Sequence, residues 1–180
     1  MNTIRLLAIS GSLRKQSYNT ALIHALSELA PEEILIDRYQ ELSKLPLYNP
    51  DLEDSNIPEI IKLKKKVAQS DGLIIASPEY AHGITGALKN ALDWLVSGEE
   101  FVYKPITLFN TSPRASHAQA ALRDVLSTMS GNIIENASIS VPLLGSQLNA
   151  AGIVSHPEIS QALISSLKSF RSAILEQANH

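Results

Sequence analysis

Ile4-Arg5-Leu6-Leu7-Ala8-Ile9 runs into Ser10-Gly11-Ser12-Leu13-Arg14-Lys15-Gln16-Ser17 and then into Tyr18-Asn19-Thr20-Ala21-Leu22. The first run is apolar with little polar alternation, as expected of a parallel strand buried on both faces. From Tyr18 the apolar residues recur at helical spacing through Ala21, Leu22, Ala25, Leu26 and Leu29, and Pro31 stops the pattern. A strand thus passes through a small polar loop into a helix, which is the opening half of a βα unit.

The same rhythm continues along the chain. Ile34-Leu35-Ile36, Leu73-Ile74-Ile75-Ala76 and Ile106-Thr107-Leu108-Phe109 read as strands, and Ile133 to Ile139 as a weaker fifth. Asn56-Ile57-Pro58-Glu59 reads as a capped helix start with Ile57, Ile60, Ile61, Val67 and Ala68 facing inward. Thr85 to Val96 is a helix with Leu88, Leu92 and Leu95 inward and Gly98 past its end. Ala115 to Met129 is a helix stopped by Gly131, and Pro157 opens the last one. Five rounds of strand and helix predict one doubly wound α/β sandwich over residues 1–180. Leu42 to Ser55, with Pro46 and Pro50, reads as a long irregular connection exposing Leu45, Leu47 and Tyr48.

Composition narrows the function. The chain has 180 residues, 44% hydrophobic and 18% charged, a globular balance. Lys plus Arg is 15 against 18 Asp plus Glu, so the net charge is −3, too acidic for a nucleic-acid binder. Cysteine is absent, which excludes disulfides, thiolate metal sites and a cysteine nucleophile. No run of about 18 apolar residues predicts a membrane span. Met1 to Ser10 lacks the apolar region and cleavage site of a signal peptide. A cytoplasmic location is expected.

In an open parallel sheet, ligands sit beyond the carboxyl ends of the strands. Three loops leave those ends. Ser10 to Thr20 supplies small donors, Arg14, Lys15 and a helix N-terminus, the elements of an anion cradle. It reads equally as a polar loop with Ser17 as helix cap. It lacks the G-x-x-x-x-G-K-[ST] of a triphosphate loop and the three glycines of a dinucleotide fingerprint. Ser10 and Ser77 stand where a receiver domain would carry acids. The second loop, Ser77-Pro78-Glu79-Tyr80-Ala81-His82-Gly83, brings an aromatic ring and backbone amides that suit a flat heteroaromatic ligand. The third, Asn110-Thr111-Ser112-Pro113-Arg114-Ala115-Ser116-His117, again leads into a helix N-terminus. His82 reads as solvent-facing, Lys89 and Asp93 as a helix ion pair, and Trp94 as a packing residue. None of the titratable groups in these loops is paired with another at a spacing that suggests a relay, and no essential side-chain acid or base is expected.

These residues carry a resemblance. Gly11-Ser12-Leu13-Arg14-Lys15-Gln16-Ser17-Tyr18-Asn19 resembles the G-S-x-R-x-x-S-x-N phosphate loop of the NAD(P)H-dependent FMN reductases. This is the flavodoxin-like group that includes bacterial quinone, chromate and azo dye reductases. Ser77-Pro78-Glu79-Tyr80 and Gly86-Ala87-Leu88-Lys89-Asn90-Ala91-Leu92-Asp93-Trp94 resemble its P-E-Y and G-x-L-K-N-A-x-D-W pattern, and Leu45-Pro46-Leu47-Tyr48-Asn49 its loop after the second strand. The resemblance covers about residues 4 to 130.

It implies a five-stranded parallel sheet in the order 2-1-3-4-5. It implies FMN as cofactor and NADPH or NADH as co-substrate. Hydride would pass through FMN to an acceptor such as a quinone, azo compound, chromate or free flavin. Ser12, Arg14, Ser17 and Asn19 would hold the FMN phosphate, with the backbone amides of Leu13 and Thr20 nearby. Pro78, Glu79, Tyr80 and Ala81 would line the isoalloxazine, with Ser112 at its far edge. It implies a homodimer or homotetramer. The chain departs from the pattern at Ala81-His82, where many relatives have asparagine after P-E-Y, and at Ser112 to His117, where the family loop is often glycine-rich. The rival reading is a flavodoxin-type electron carrier without its own NAD(P)H turnover. Such carriers tend to be strongly acidic, and −3 is mild.

Overall fold

A computed structural model describes residues 3–178. Strands β1 (Ile4–Ser10), β2 (Ile34–Tyr39), β3 (Gly72–Ala76), β4 (Pro105–Asn110) and β5 (Asn132–Ile133) form a parallel sheet in the order β2-β1-β3-β4-β5. A further strand, β6 (Ile139–Ser140), also pairs with β4. Between the strands run α1 (Tyr18–Leu29), α2 (Pro58–Ala68), α3 (Gly86–Leu95) and α4 (Ser116–Thr128), and α5 (Ala150–Ser155) and α6 (Pro157–Gln177) follow the sheet. This is the flavodoxin-like order expected. Among the described residues no helix is long and apolar enough to cross a membrane.

The central strands send alternate residues into two cores. Leu7, Ile9, Leu73, Ile75, Ile106 and Leu108 pack with α2, α3 and α4. Leu6, Ala8, Ile74, Ala76 and Phe109 pack with α1, α5 and α6. Both faces are covered, so these strands need apolar residues at every position rather than every second one.

Four local expectations need correction. The fifth strand does not run from Ile133 to Ile139, because a 3₁₀ turn at Glu135–Ala137 splits it. The buried Ala137 carbonyl accepts from Thr107 Oγ1 of β4 at 2.8 Å and Ser166 Oγ of α6 at 2.6 Å. Ser138 Oγ takes the Leu108 N–H at 3.0 Å, so side chains replace the ladder there. Asn56 does not cap α2. Pro58 holds the preceding Ile57 extended at the N-cap, with no side-chain cap bond. The inward face of α2 is Ile60, Leu63 and Val67, while Ile61 and Ala68 face solvent. The connection after β2 hides Leu45, at 8% exposure, and sets Tyr48 edge-on against Trp94 with ring centroids 5.1 Å apart. Of the three apolar residues expected at the surface, Leu47 alone is fully outside, at 83%.

That connection shows what the K-N-A-x-D-W stretch does. Pro46 O accepts from both Asn90 Nδ2 and Trp94 Nε1 at 2.9 Å, and Asn90 Oδ1 accepts the Tyr48 N–H at 2.8 Å. Lys89 pairs with Asp93 on the same helix. Asn90 and Trp94 therefore act as struts for a long loop, and Trp94 is buried as a packing residue.

Tyr80 and Gly83 exchange both backbone hydrogen bonds at 3.0 Å, which closes a two-residue turn. Its central residues, Ala81 and His82, have φ of 49° and 61°. Such turns favour asparagine and glycine, because a Cβ in this left-handed region crowds the following carbonyl at a cost of roughly 1–2 kcal/mol per residue. Ala81→Asn is expected to stabilise the fold by about 0.5–1 kcal/mol. Urea unfolding checks it, and a midpoint at or below that of the parent contradicts the strain argument.

Candidate functional site

The site grows from one close approach. Gly11 N donates to Ala76 O at 2.8 Å, and Gly11 O accepts from Thr85 Oγ1 at 2.6 Å. A Cβ on Gly11 would lie 2.3 Å from Ser77 Oγ and 2.7 Å from Ser77 Cβ. Only glycine lets the loop after β1 press against the loop after β3.

Small polar groups shape the first loop. Ser12 N donates to Ser10 Oγ at 3.3 Å, Arg14 N donates to Ser12 Oγ at 3.3 Å, and the Ser10 and Thr20 hydroxyls share a hydrogen bond at 2.9 Å. Ser17 is the N-cap of α1, its Oγ accepting from Thr20 N at 3.4 Å. The cap reading and the cradle reading describe the same loop. The N–H groups of Tyr18 and Asn19, the first two of α1, have no intrahelical acceptor and are free for an anion. Asn19 is 4% exposed, and its Oδ1 accepts from Thr111 Oγ1 at 3.1 Å, which ties the first loop to the end of β4.

The second and third loops are also tied together. Glu79 Oε2 accepts the Ala118 N–H at 2.8 Å, so a β3-loop carboxylate caps α4, whose own N-cap residue Ala115 offers no side chain bond. Glu79 Oε1 lies 3.3 Å from His82 Nδ1, and the His82 ring meets the His117 ring edge-on at 4.4 Å between centroids. The Glu79–His82 contact lies within one loop, three residues apart, while the meeting of His82 with His117 is made by the fold and has no counterpart in sequence spacing.

A cavity of about 830 Å³ lies along these loops. Ser12, Arg14, Ser17, Asn19, Thr20, Pro78, Glu79, Tyr80 and Ser112 line it, all residues singled out by sequence. Leu13 and Ala81 do not. The Leu13 side chain is 58% exposed, and the turn at Tyr80–Gly83 lifts Ala81 into solvent. Sequence reading passed over Gln16, Tyr18, Ala21, His24, Thr111 and Ala115, and the segment Leu144 with Gln147 to Ala150, as cavity residues. That segment is brought in by a hydrogen bond from Gln147 N to Tyr18 Oη at 3.1 Å, a contact across the fold with no local signal. Burial, with Arg38 adding to it, holds the His24 imidazole below its ordinary pKa against the pull of Glu28.

The volume falls in the range of about 300–1,000 Å³ usual for cofactor sites. The cations and small polar groups of the loop before α1, together with Pro78 and Tyr80, are a lining that suits a phosphorylated flat ligand such as FMN. The profile of the NADPH-dependent FMN reductases matches residues 4–143. The chain belongs to that family.

Relatives include a 2-hydroxy-1,4-benzoquinone reductase of Burkholderia sp, 44% identical over 92 residues, which are 51% of this chain and 49% of that protein. An NADPH:quinone oxidoreductase of Arabidopsis thaliana is 42% identical over 95 residues, 51% of this chain and 48% of that protein. These alignments span about half the length of either relative. Among solved structures, the flavoenzyme NAD(P)H:(acceptor) oxidoreductase FerB of Paracoccus denitrificans superposes with a TM-score of 0.85 and 26% identity. That superposition covers 97% of this chain and 98% of FerB.

Proposed function

We propose that this FMN reductase family member is an FMN-dependent oxidoreductase, acting in a single FMN-binding domain. NADPH or NADH gives hydride, and a quinone is the leading acceptor, ahead of azo compounds, chromate and free flavin. The observation that supports this reading is one cavity of about 830 Å³ lined both by the polar, cationic loop before α1 and by Pro78, Glu79 and Tyr80. The names of the relatives favour quinones among the acceptors. A cytoplasmic location, with its supply of reduced nicotinamide, suits the reading.

Bound FMN supplies the hydride chemistry itself. The chain's part is to hold and expose it. Ser12, Arg14, Ser17 and Asn19 hold the phosphate, helped by backbone N–H groups at Leu13 and Thr20. Pro78, Glu79 and Tyr80 form the ring wall, with the Ala81 backbone at its end and Ser112 at the far edge. Glu79, His82 and His117 fasten the two ring-side loops to each other. Hydride transfer asks for stacking and distance, so no side chain is needed as an essential acid or base. The electron-carrier reading is disfavoured by the reductase names of the relatives and by the mild net charge of −3.

We also propose that the chain assembles as a homodimer or a dimer of dimers. Leu47 supports this, standing 83% exposed on a loop that Asn90 and Trp94 hold rigid. A monomeric mass by light scattering at micromolar concentration rejects it. For the activity, one open face serves co-substrate and acceptor in turn. Steady-state rates with NADPH and a quinone should therefore give parallel double-reciprocal lines. Intersecting lines would mean that both substrates sit in the cavity together, contrary to this account.

A further inference from the structure

Charge is distributed unevenly over this molecule. The cavity is lined by Arg14, Lys15 and Arg114 against Glu79 alone, so its formal balance is 3 − 1 = +2 in a chain of net charge −3. Elsewhere among the described residues five cations are paired with carboxylates: Lys44 and Lys62 with Glu41, Lys66 with Asp37, Lys89 with Asp93 and Arg123 with Glu135. The side chains of Arg14, Lys15 and Arg114 have no such partner among the described residues. Glu79 is already engaged by the Ala118 N–H and by His82.

The three cations belong to two loops. Arg14 and Lys15 stand in the cradle before α1, with Ser12 and Ser17. Arg114 stands in the loop after β4, with Thr111 and Ser112, at the end assigned above to the ring. FMN carries one phosphate, and the rest of the oxidised cofactor is uncharged. With its phosphate in the cradle, FMN leaves Arg114 without an anion. Quinones bring none. NADPH and NADH do, because one ribose separates the nicotinamide from the pyrophosphate. A nicotinamide stacked on the flavin carries that pyrophosphate to the ring end of the cavity.

The backbone that launches Arg114 is fixed before any ligand arrives. Ser112 N donates to Asn110 Oδ1 at 3.0 Å, Arg114 N donates to Ser112 Oγ at 3.3 Å, and Ala115 N donates to Ser112 O at 3.1 Å. Beyond it, His117 packs on His82 and Ala118 is held by Glu79. Binding then orders one side chain rather than a loop, which lowers its entropic cost. A guanidinium also matches two phosphoryl oxygens at once, which an ammonium does not.

We propose that Arg114 is the anchor for the pyrophosphate of NADPH and NADH, a specificity-determining residue for the co-substrate. The inference rests on the FMN oxidoreductase reading above. The test uses FMN-loaded protein with Arg114→Ala and Arg114→Lys, read by steady-state kinetics and by calorimetric binding of ADP-ribose, which has the pyrophosphate but no nicotinamide. Arg114→Ala should raise KM for NADPH and NADH alike by tenfold or more and weaken ADP-ribose by a similar factor. FMN content and the quinone KM should stay unchanged, and Arg114→Lys should recover part of the loss. Arg14→Ala, by contrast, should weaken FMN itself roughly tenfold or more in a titration of apo-protein.

Unchanged dinucleotide and ADP-ribose binding with normal FMN content overturns the inference and leaves the FMN reading standing. A rise confined to NADPH overturns it in favour of the 2′-phosphate. Loss of FMN from Arg114→Ala, or a shifted flavin potential with dinucleotide binding unmoved, overturns it in favour of a contact to the cofactor. Failure of the unaltered protein to bind FMN sinks the underlying reading instead.

Discussion

The contact between Gly11 and Ser77 governs the site. Two strands side by side in a parallel sheet, β1 and β3, release their loops in the same direction, and those loops compete for the same space. The absent Cβ of Gly11 lets them approach until its imagined position is 2.3 Å from Ser77 Oγ. The hydrogen bonds from Gly11 N to Ala76 O and from Thr85 Oγ1 to Gly11 O hold that approach. The loop before α1 then stands beside the loop after β3 along one cavity. The third loop is drawn in by Asn19 with Thr111 and by Glu79 with Ala118. The helix dipole of α1, the serines and the cations all act through this geometry, since each favours an anion only where the loop presents it.

Much of this was legible in the sequence because the sheet is buried on both faces. Unbroken apolar runs at Ile4 to Ile9, Leu73 to Ala76 and Ile106 to Phe109 have no other economical reading next to helical stripes, and the rule that ligands sit at strand carboxyl ends named the three loops. The resemblance added the strand order and the cofactor. What escaped has a common cause. The broken fifth strand depends on Thr107, Ser138 and Ser166 meeting around Ala137, residues distant in sequence. The cavity wall at Leu144 and Gln147 to Ala150 depends on Tyr18, 129 positions before Gln147. Helix α5, capped by Asn149, is a single short turn pair with no long apolar stripe to announce it. The contact of His82 with His117 joins two loops whose chain order says nothing about their meeting.

The structure also shows which recognisable residues brace the loops. Asn90 and Trp94 belong to the most recognisable stretch of the chain, yet both face the Pro46 carbonyl and serve the loop after β2. Ala81 and His82 occupy a turn that asparagine and glycine would form with less strain. His82 meets Glu79 within its own loop and His117 across to the next, so its backbone strain accompanies a contact that glycine could not make. The two places where the sequence departs from its family pattern thus meet in space, where His82 packs on His117.

The central claim is that the chain reduces its own flavin from a nicotinamide, which a passive carrier does not do. The most direct measurement is anaerobic mixing of FMN-loaded protein with a stoichiometric amount of NADPH, followed by a quinone. The account predicts that the flavin's visible absorption disappears at least as fast as the enzyme turns over and returns when the quinone is added. Absorption that persists with NADPH and with NADH, yet is abolished by dithionite, would contradict it and mark the protein as an electron carrier.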